Sequence, residues 1–410
     1  MGLSSVTATL ARAPRITVNN NTNSDRNNDK RRDQSCLSLR QGARRGATPT
    51  LRARHSRGLV LGRQMHASPV LAPPCLEPVV EEVSAYSPAT VANLGCGFDF
   101  MGCAVEGQGD IVTVRLRPDL PGQVVIDDIV GDGGRLSYEA ADNCCGIAAL
   151  ETLKLLGVSD VGVAISLRKG LPLGSGLGSS AASAGAACWA VNALFGEPLS
   201  KMELVPAGLA SEAHVSGYHA DNIAPAIMGG FVMIQTYDPE LKLLQLKYGS
   251  DKPLWFSVVT PVFEAPTRLM RAALPLEIPF KQHTHNSAGG ASLAAGILLG
   301  NVEMIGRGLS TDVIVEPARG PLIPGFSEVK KAALEAGAHG CTISGAGPTI
   351  VAVCEDKATG VKSAEAMCAA FEKYGMLDIG RAAVVQLCER GSHTCEPGTS
   401  TDSPTAHFVV

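Results

Sequence analysis

The segment Pro172-Leu173-Gly174-Ser175-Gly176-Leu177-Gly178-Ser179-Ser180-Ala181-Ala182 stands between an apolar run, Val161 to Leu167, and a small-residue helical period, Ser179 to Leu194. Glycines without a Cβ let successive backbone N–H groups converge on one anion, and a helix that starts just beyond adds its positive dipole end. A strand, such a loop and a helix in that order have the makings of a phosphate cradle, although a Gly/Ser loop alone is a weak signal and an ordinary turn has the same composition. It is not a Walker loop, because the Gly-Lys-Ser/Thr ending is missing. It is not a dinucleotide fingerprint either, because Ser179 stands where the third glycine would.

Working outward, further strands are expected at Glu82 to Tyr86, Asp110 to Leu116, Gln123 to Val130, Gly230 to Gln235, Lys242 to Leu246, Trp255 to Thr260, Cys341 to Ser344, Ile350 to Val353 and Ala382 to Leu387. Helical periods fit Asn143 to Leu156, Lys201 to His214, Thr267 to Leu274, Asn286 to Leu299, Phe326 to Ala336 and Val361 to Lys373. The two kinds are mixed without a strict βαβ rhythm, so the fold class is α+β rather than doubly wound. The polar, turn-rich stretch Tyr248 to Pro253 marks an internal boundary, and the segment after Glu389 reads as a frayed tail.

Composition narrows the function. Of 410 residues, 45% are apolar and 18% charged, as in a soluble globular chain. Residues 1 to 74 carry a net charge of +10, while the remaining 336 carry −14. An acidic body lacks the basic face that nucleic acid requires. The longest uncharged run, Gly170 to Gly196, opens on the glycine loop, a poor lipid surface, so it reads as a loop plus a buried helix and not as a membrane span. The basic, Ser/Thr-rich amino-terminal segment, poor in acids, matches an organelle transit peptide, with plastid and mitochondrion undivided. The twelve cysteines form no CxxC pair, so buried thiols in a reducing compartment are expected rather than a zinc site.

Two more segments belong with the glycine loop. Pro88-Ala-Thr-Val-Ala-Asn93-Leu-Gly-Cys-Gly-Phe-Asp99 places Asn93 and Asp99 in a loop between the first two strands, and Ser344-Gly-Ala-Gly-Pro-Thr349 reads as a hairpin turn. In this order the three segments resemble the signature motifs of the small-molecule kinase superfamily named for galactokinase, homoserine kinase, mevalonate kinase and phosphomevalonate kinase. The resemblance runs from about Ser84 to Leu387. ANLGCGFD at 92–99, HADNIAPAIMGG at 219–230 and VEPARGPLIPGF at 315–326 are similar to the homoserine kinase branch, of a plant or algal plastid type.

The resemblance implies a ribosomal-protein-S5-like kinase domain at 79–250 and a ferredoxin-like one at 251–390, with a transit peptide at 1–78 and a flexible tail at 391–410. It implies ATP on Pro172 to Ala182, with Gly176, Gly178, Ser179 and Ser180 holding the triphosphate and Ser180 and Glu212 as ligands of Mg2+, an ion that needs few protein oxygens. For a homoserine acceptor it implies Asn93 and Asp99 at the amino and hydroxyl end and Arg271 and Arg319 on the carboxylate, with His219 and Asn222 beside them. Catalysis falls to Asn222, Arg271 and Ser180. Where relatives place an Asp near the transferred phosphate, homoserine kinases carry Asn, aligned here with Asn222. Asp221 is set aside because neighbouring residues point different ways. The reaction then proceeds by positioning, with the hydroxyl proton leaving late.

Without the resemblance, Glu212 reads as an exposed helix carboxylate, and Arg319 as an exposed arginine in an extended, proline-rich loop. The competing functions are a kinase of mevalonate or a related alcohol, and a silent sensor that binds without turnover. A homodimer is left open. No nucleic acid or membrane partner is expected.

Overall fold

The expected first strand extends further than the sequence suggested, as β1 (Glu82–Ala92), because alternating apolar residues continue through Ala92 and nearly all of it is buried. The computed structural model describes residues 76–409 except 216; the expected transit peptide lies almost wholly outside the described residues. β1 pairs antiparallel with the long β2 (Met101–Leu116). β2 pairs with β4 (Val163–Arg168), and β4 runs parallel to β3 (Val124–Val130). β5 (Phe231–Thr236) joins the other end of β2 and carries β6 (Lys242–Leu246).

Four helices cover this sheet: α1 (Cys144–Leu155), α2 (Ser179–Leu194), α3 (Lys201–Val215) and α4 (Ala220–Met228). α2 is the central one. Its run of Ala, Ser and Gly leaves fourteen of sixteen residues buried, and small side chains allow β1, β2 and three neighbouring helices to close around it. α4 was not anticipated, because Pro225 interrupts its pattern. Pro225 has no N–H to offer the Asp221 carbonyl, and β2 approaches that carbonyl so closely that a Cβ on Gly102 would lie 1.9 Å from it.

The second sheet has the order β12 (His407–Phe408), β10 (Ile379–Gln386), β7 (Trp255–Pro261), β9 (Ile350–Cys354), β8 (Gly340–Ile343), all antiparallel. With α9 (Phe326–Glu335) between β7 and β8 and α10 (Lys357–Ala370) between β9 and β10, this is the split β-α-β-β-α-β arrangement. α5 (Thr267–Ala272), α6 (Phe280–Leu299), α7 (Val302–Ser310) and α8 (Val315–Arg319) are inserted before α9. The α+β expectation holds. Val91, Met101 and Phe231 of the first sheet meet Phe256, Val258 and Val353 of the second in a common core.

The segment expected to be a frayed tail, 391–410, is instead fastened to both sheets across its described residues. β11 (His393–Cys395) pairs with β1 and β12 with β10. Between them, Thr401 O accepts from Gly109 N at 2.9 Å, and Asp402 is paired with Arg381 at 2.7 Å. Its Ser/Thr/Gly composition suggested fraying, but the edges of β1 and β10 offer ladder groups that a short polar segment satisfies. Truncation after Glu389 is therefore expected to lower the melting temperature by more than about 5 °C. An unchanged thermal melt would refute the fastening role.

Candidate active site

The turn after β1 begins and ends with side-chain-bearing residues in the left-handed region, Asn93 at φ 58° and Asp99 at φ 62°. Asn93 Oδ1 accepts from Asp99 N at 2.9 Å, and its Nδ2 donates to Gly345 O at 3.0 Å. The loop expected over Pro88–Asp99 thus starts only at Asn93, the residues before it being strand. Asn93 borders the cavity, but both ends of its amide are already engaged within the protein.

Gly178 caps α2 at φ 63°, and a Cβ there would lie 2.0 Å from Thr90 Oγ1. Thr90 N donates to Leu177 O at 3.1 Å, Thr349 N to Ser175 O at 3.2 Å and Ser344 Oγ to Gly176 O at 2.7 Å. The three signature segments are therefore sewn to one another through the glycine loop. Beneath it lies an ion pair that the sequence reading missed. Lys169 Nζ is paired with Asp110 and donates to Ser179 O at 2.8 Å, Ser179 Oγ at 2.7 Å and Ser183 Oγ at 2.9 Å. Both charged side chains are at most 1% exposed. The only local hint was a lysine standing directly before the longest uncharged run.

A cavity of about 810 Å³ opens over this loop. It collects every expected substrate and metal residue: Asn93, Asp99, Ser180, Glu212, His219, Asn222, Arg271 and Arg319. Of the expected nucleotide loop, Leu173 to Gly176 and Gly178 to Ser180 line it, whereas Leu177, Ala181 and Ala182 turn into the cores. Pro172 is not among the lining residues.

Glu212 and Arg319 are not the exposed groups the sequence suggested. Glu212 is 3% exposed and Arg319 1%. Glu212 supplies a hard carboxylate oxygen and Ser180 a hydroxyl on the same cavity. That donor set fits Mg2+, which keeps most of its waters and takes phosphate oxygens. Among the described residues no cluster of three His, Cys, Asp or Glu side chains is placed to hold a metal ion.

At the other end, Arg271 grips Asp99 bidentately at 3.0 and 2.8 Å. Arg319 is held by Met270 O at 3.0 Å and Gly345 O at 3.2 Å, and both guanidinium groups stack near Phe98. Burial, and then the charge of Arg271, pull the Arg319 pKa down to about 10, still cationic at neutral pH. Burial and Arg271 likewise lower His219, whose Nδ1 lies 3.9 Å from Asp99. Asn222 Oδ1 accepts from Thr90 Oγ1 at 2.8 Å.

Asp221, which the sequence reading set aside, also faces the cavity. Residues 219, 221 and 222 lie at the start of α4, where positions advance by about 100° each, so three of them share one opening. Burial, and then the nearby Asp99, raise the Asp221 pKa from 3.8 to about 7. Its folded pKa lies above its unfolded one, so its ionisation costs stability as pH rises above 3.8, and the cost is complete above about 7. Asp221→Asn is expected to raise the melting temperature at pH 8, with the gain vanishing near pH 4. A lower melting temperature at pH 8 would contradict it.

The profile of the GHMP kinases N terminal domain matches residues 143–230, and that of the GHMP kinases C terminal matches 293–373. A homoserine kinase of Arabidopsis thaliana is 59% identical over 73% of this chain and 81% of its own, and one of Chloroherpeton thalassium is 42% identical over 73% and 95%. The crystal structure of homoserine kinase from Cytophaga hutchinsonii superposes with a TM-score of 0.72 at 40% identity, over 78% of this chain and 99% of its own. A mevalonate kinase of L. major, 16% identical with a TM-score of 0.58, shares the fold. With more than half its residues identical over 73% of this chain and 81% of the relative, the chain belongs to the homoserine kinase family of the GHMP kinases.

Proposed function

We propose that this chain transfers the terminal phosphoryl group of ATP to the side-chain hydroxyl of L-homoserine, giving ADP and O-phospho-L-homoserine, a step of threonine biosynthesis. The observation that carries the reading is the meeting, in one cavity, of the phosphate-type glycine loop with Asp99, Arg271 and Arg319. The loop amides and the start of α2 favour a polyphosphate. Ser180 and Glu212 would hold Mg2+, which supplies charge neutralisation to the phosphates. Arg319 keeps one Nη outside its two carbonyl bonds, and with Arg271 it suits a planar carboxylate.

Asn222, an amide, cannot take a proton, so its role is to orient the acceptor hydroxyl. A loose transition state tolerates this, since alignment and charge neutralisation supply most of the acceleration. The basic amino-terminal segment and the plant relative support delivery to the plastid stroma, with the mitochondrion as runner-up.

Coupled ADP release with homoserine or mevalonate tests the substrate directly. Homoserine is expected to be turned over and mevalonate not. Binding without turnover would favour a sensor. In the same assay Glu212→Gln is expected to lower kcat by about a hundredfold or more and to move the magnesium saturation curve to higher concentration. An unchanged magnesium curve would place the metal elsewhere.

A further inference from the structure

One of the two arginines of the cavity stands at the end of a helix too short to hold itself. α8 (Val315–Arg319) is five residues long and contains Pro317, which has no N–H to give, so its own hydrogen bonds contribute little. Yet its last residue, Arg319, is 1% exposed and lines the cavity. Groups outside the helix must fix where it starts.

Asp312 supplies that fixing. Its Oδ1 accepts from Ile314 N at 2.9 Å and Val315 N at 3.1 Å, and its Oδ2 from Val315 N at 3.1 Å and Glu316 N at 2.7 Å. The opening N–H groups, which no preceding turn can satisfy, thus converge on one carboxylate. The carboxylate is itself held, because Asn286 of α6 donates Nδ2 to its Oδ1 at 2.6 Å and accepts from Val313 N at 3.1 Å. Asp312 is 6% exposed and is not among the cavity's lining residues, so it touches no substrate. Among the described residues no backbone–backbone hydrogen bond ties 312–318 to another element. The helix is therefore set against the body by the side chains of Asp312 and of Glu316, the latter bonded to Lys330 of α9 at 2.5 and 2.7 Å.

Resting on the homoserine reading, we propose that Asp312 is a positioning residue for the acceptor's carboxylate, which through α8 sets the place from which Arg319 reaches the cavity. Arg319 spends Nε on Met270 O at 3.0 Å and Nη1 on Gly345 O at 3.2 Å. These two carbonyls hold the far end of the side chain, and Asp312 holds the near end. With both in place the remaining nitrogen meets a carboxylate at one angle. Met270 also precedes Arg271 in α5, so a shift of α8 reaches the second guanidinium as well. Bonds from backbone N–H groups to an ionised carboxylate are among the stronger ones, and small misplacements of a positioning group are costly.

The test measures kcat and KM for homoserine and for ATP on the full-length chain in four forms: wild type, Asp312→Ala, Arg319→Leu and the double variant. Asp312→Ala is expected to raise KM for homoserine by at least about tenfold, with kcat within about threefold and KM for ATP unchanged. An effect exerted through Arg319 vanishes once that side chain is gone, so the double variant is expected to match Arg319→Leu in kcat/KM within about twofold. Asp312→Asn keeps the shape and one acceptor oxygen and is expected to fall between wild type and Asp312→Ala. It takes the place of Asp312→Ala in the cycle if that variant does not fold.

A double variant that loses the product of the two single effects would overturn the assignment, since Asp312 would then act independently of Arg319. A KM for ATP that rises in step with that for homoserine would reduce Asp312 to general support of the fold. An unchanged KM for homoserine in both Asp312 variants, beside an impaired Arg319→Leu, would refute the role of Asp312 and leave the substrate reading standing. If Arg319→Leu itself keeps the wild-type KM for homoserine, the carboxylate reading falls and this assignment with it.

Discussion

The buried pair of Lys169 and Asp110 is the constraint on which the site depends. Asp110 belongs to β2, Lys169 follows β4, and in the opening turns of α2 Ser183 bonds both of them while Ser179 bonds Lys169. Asp110 also accepts from Gly170 N at 3.0 Å and Leu171 N at 3.2 Å, the residues that lead into the glycine loop. Two charges taken out of water contribute little net stability as a pair, but deleting one partner leaves the other uncompensated, at roughly 3 to 5 kcal/mol. The arrangement therefore does more to define geometry than to add stability. It locks the strand end, the loop entrance and the first turn of the helix into one relation, and that relation sets where the loop amides point.

Around that anchor the site is assembled from both sheets. The glycine loop comes from the first, the hairpin turn Ser344–Thr349 from the second, and Arg271 and Arg319 from the helices inserted between β7 and β8. Neither half contains the whole cavity. The bonds from Ser344 Oγ to Gly176 O and from Gly345 N to Ala92 O make the relation between the halves part of the site, so packing in the shared core bears on catalysis directly.

Much of this was legible in the sequence where the signal was local. α2 and β6 have their expected limits, because a small-residue period between Gly178 and Gly196 and an alternating run after Glu240 are bounded by turn formers. α4, α7 and α8 were missed: Pro225 and Pro317 interrupt two of them, and Gly306 and Gly308 weaken the third. The glycine loop and the residues around the cavity were identified from motif spacing and resemblance. The Lys169–Asp110 pair was not, since its members are 59 positions apart and only the fold brings them together. Asp221 was set aside because neighbouring side chains point different ways, which does not keep both from one wide cavity at the first turn of a helix.

The doubly fastened carboxy-terminal segment has a consequence for how the chain comes into being. Ser84 in β1 faces Cys395 in β11, more than three hundred positions later. Contacts of such separation close last, because the loop entropy must be met before they form. During synthesis the first sheet keeps a bare edge until residues 393–395 have left the ribosome. A nascent or truncated chain without that segment presents the ladder groups of β1 and β10 to any other strand nearby. The pairing of β11 and β12 thereby decides whether a closed fold, rather than a sticky precursor, is what enters solution.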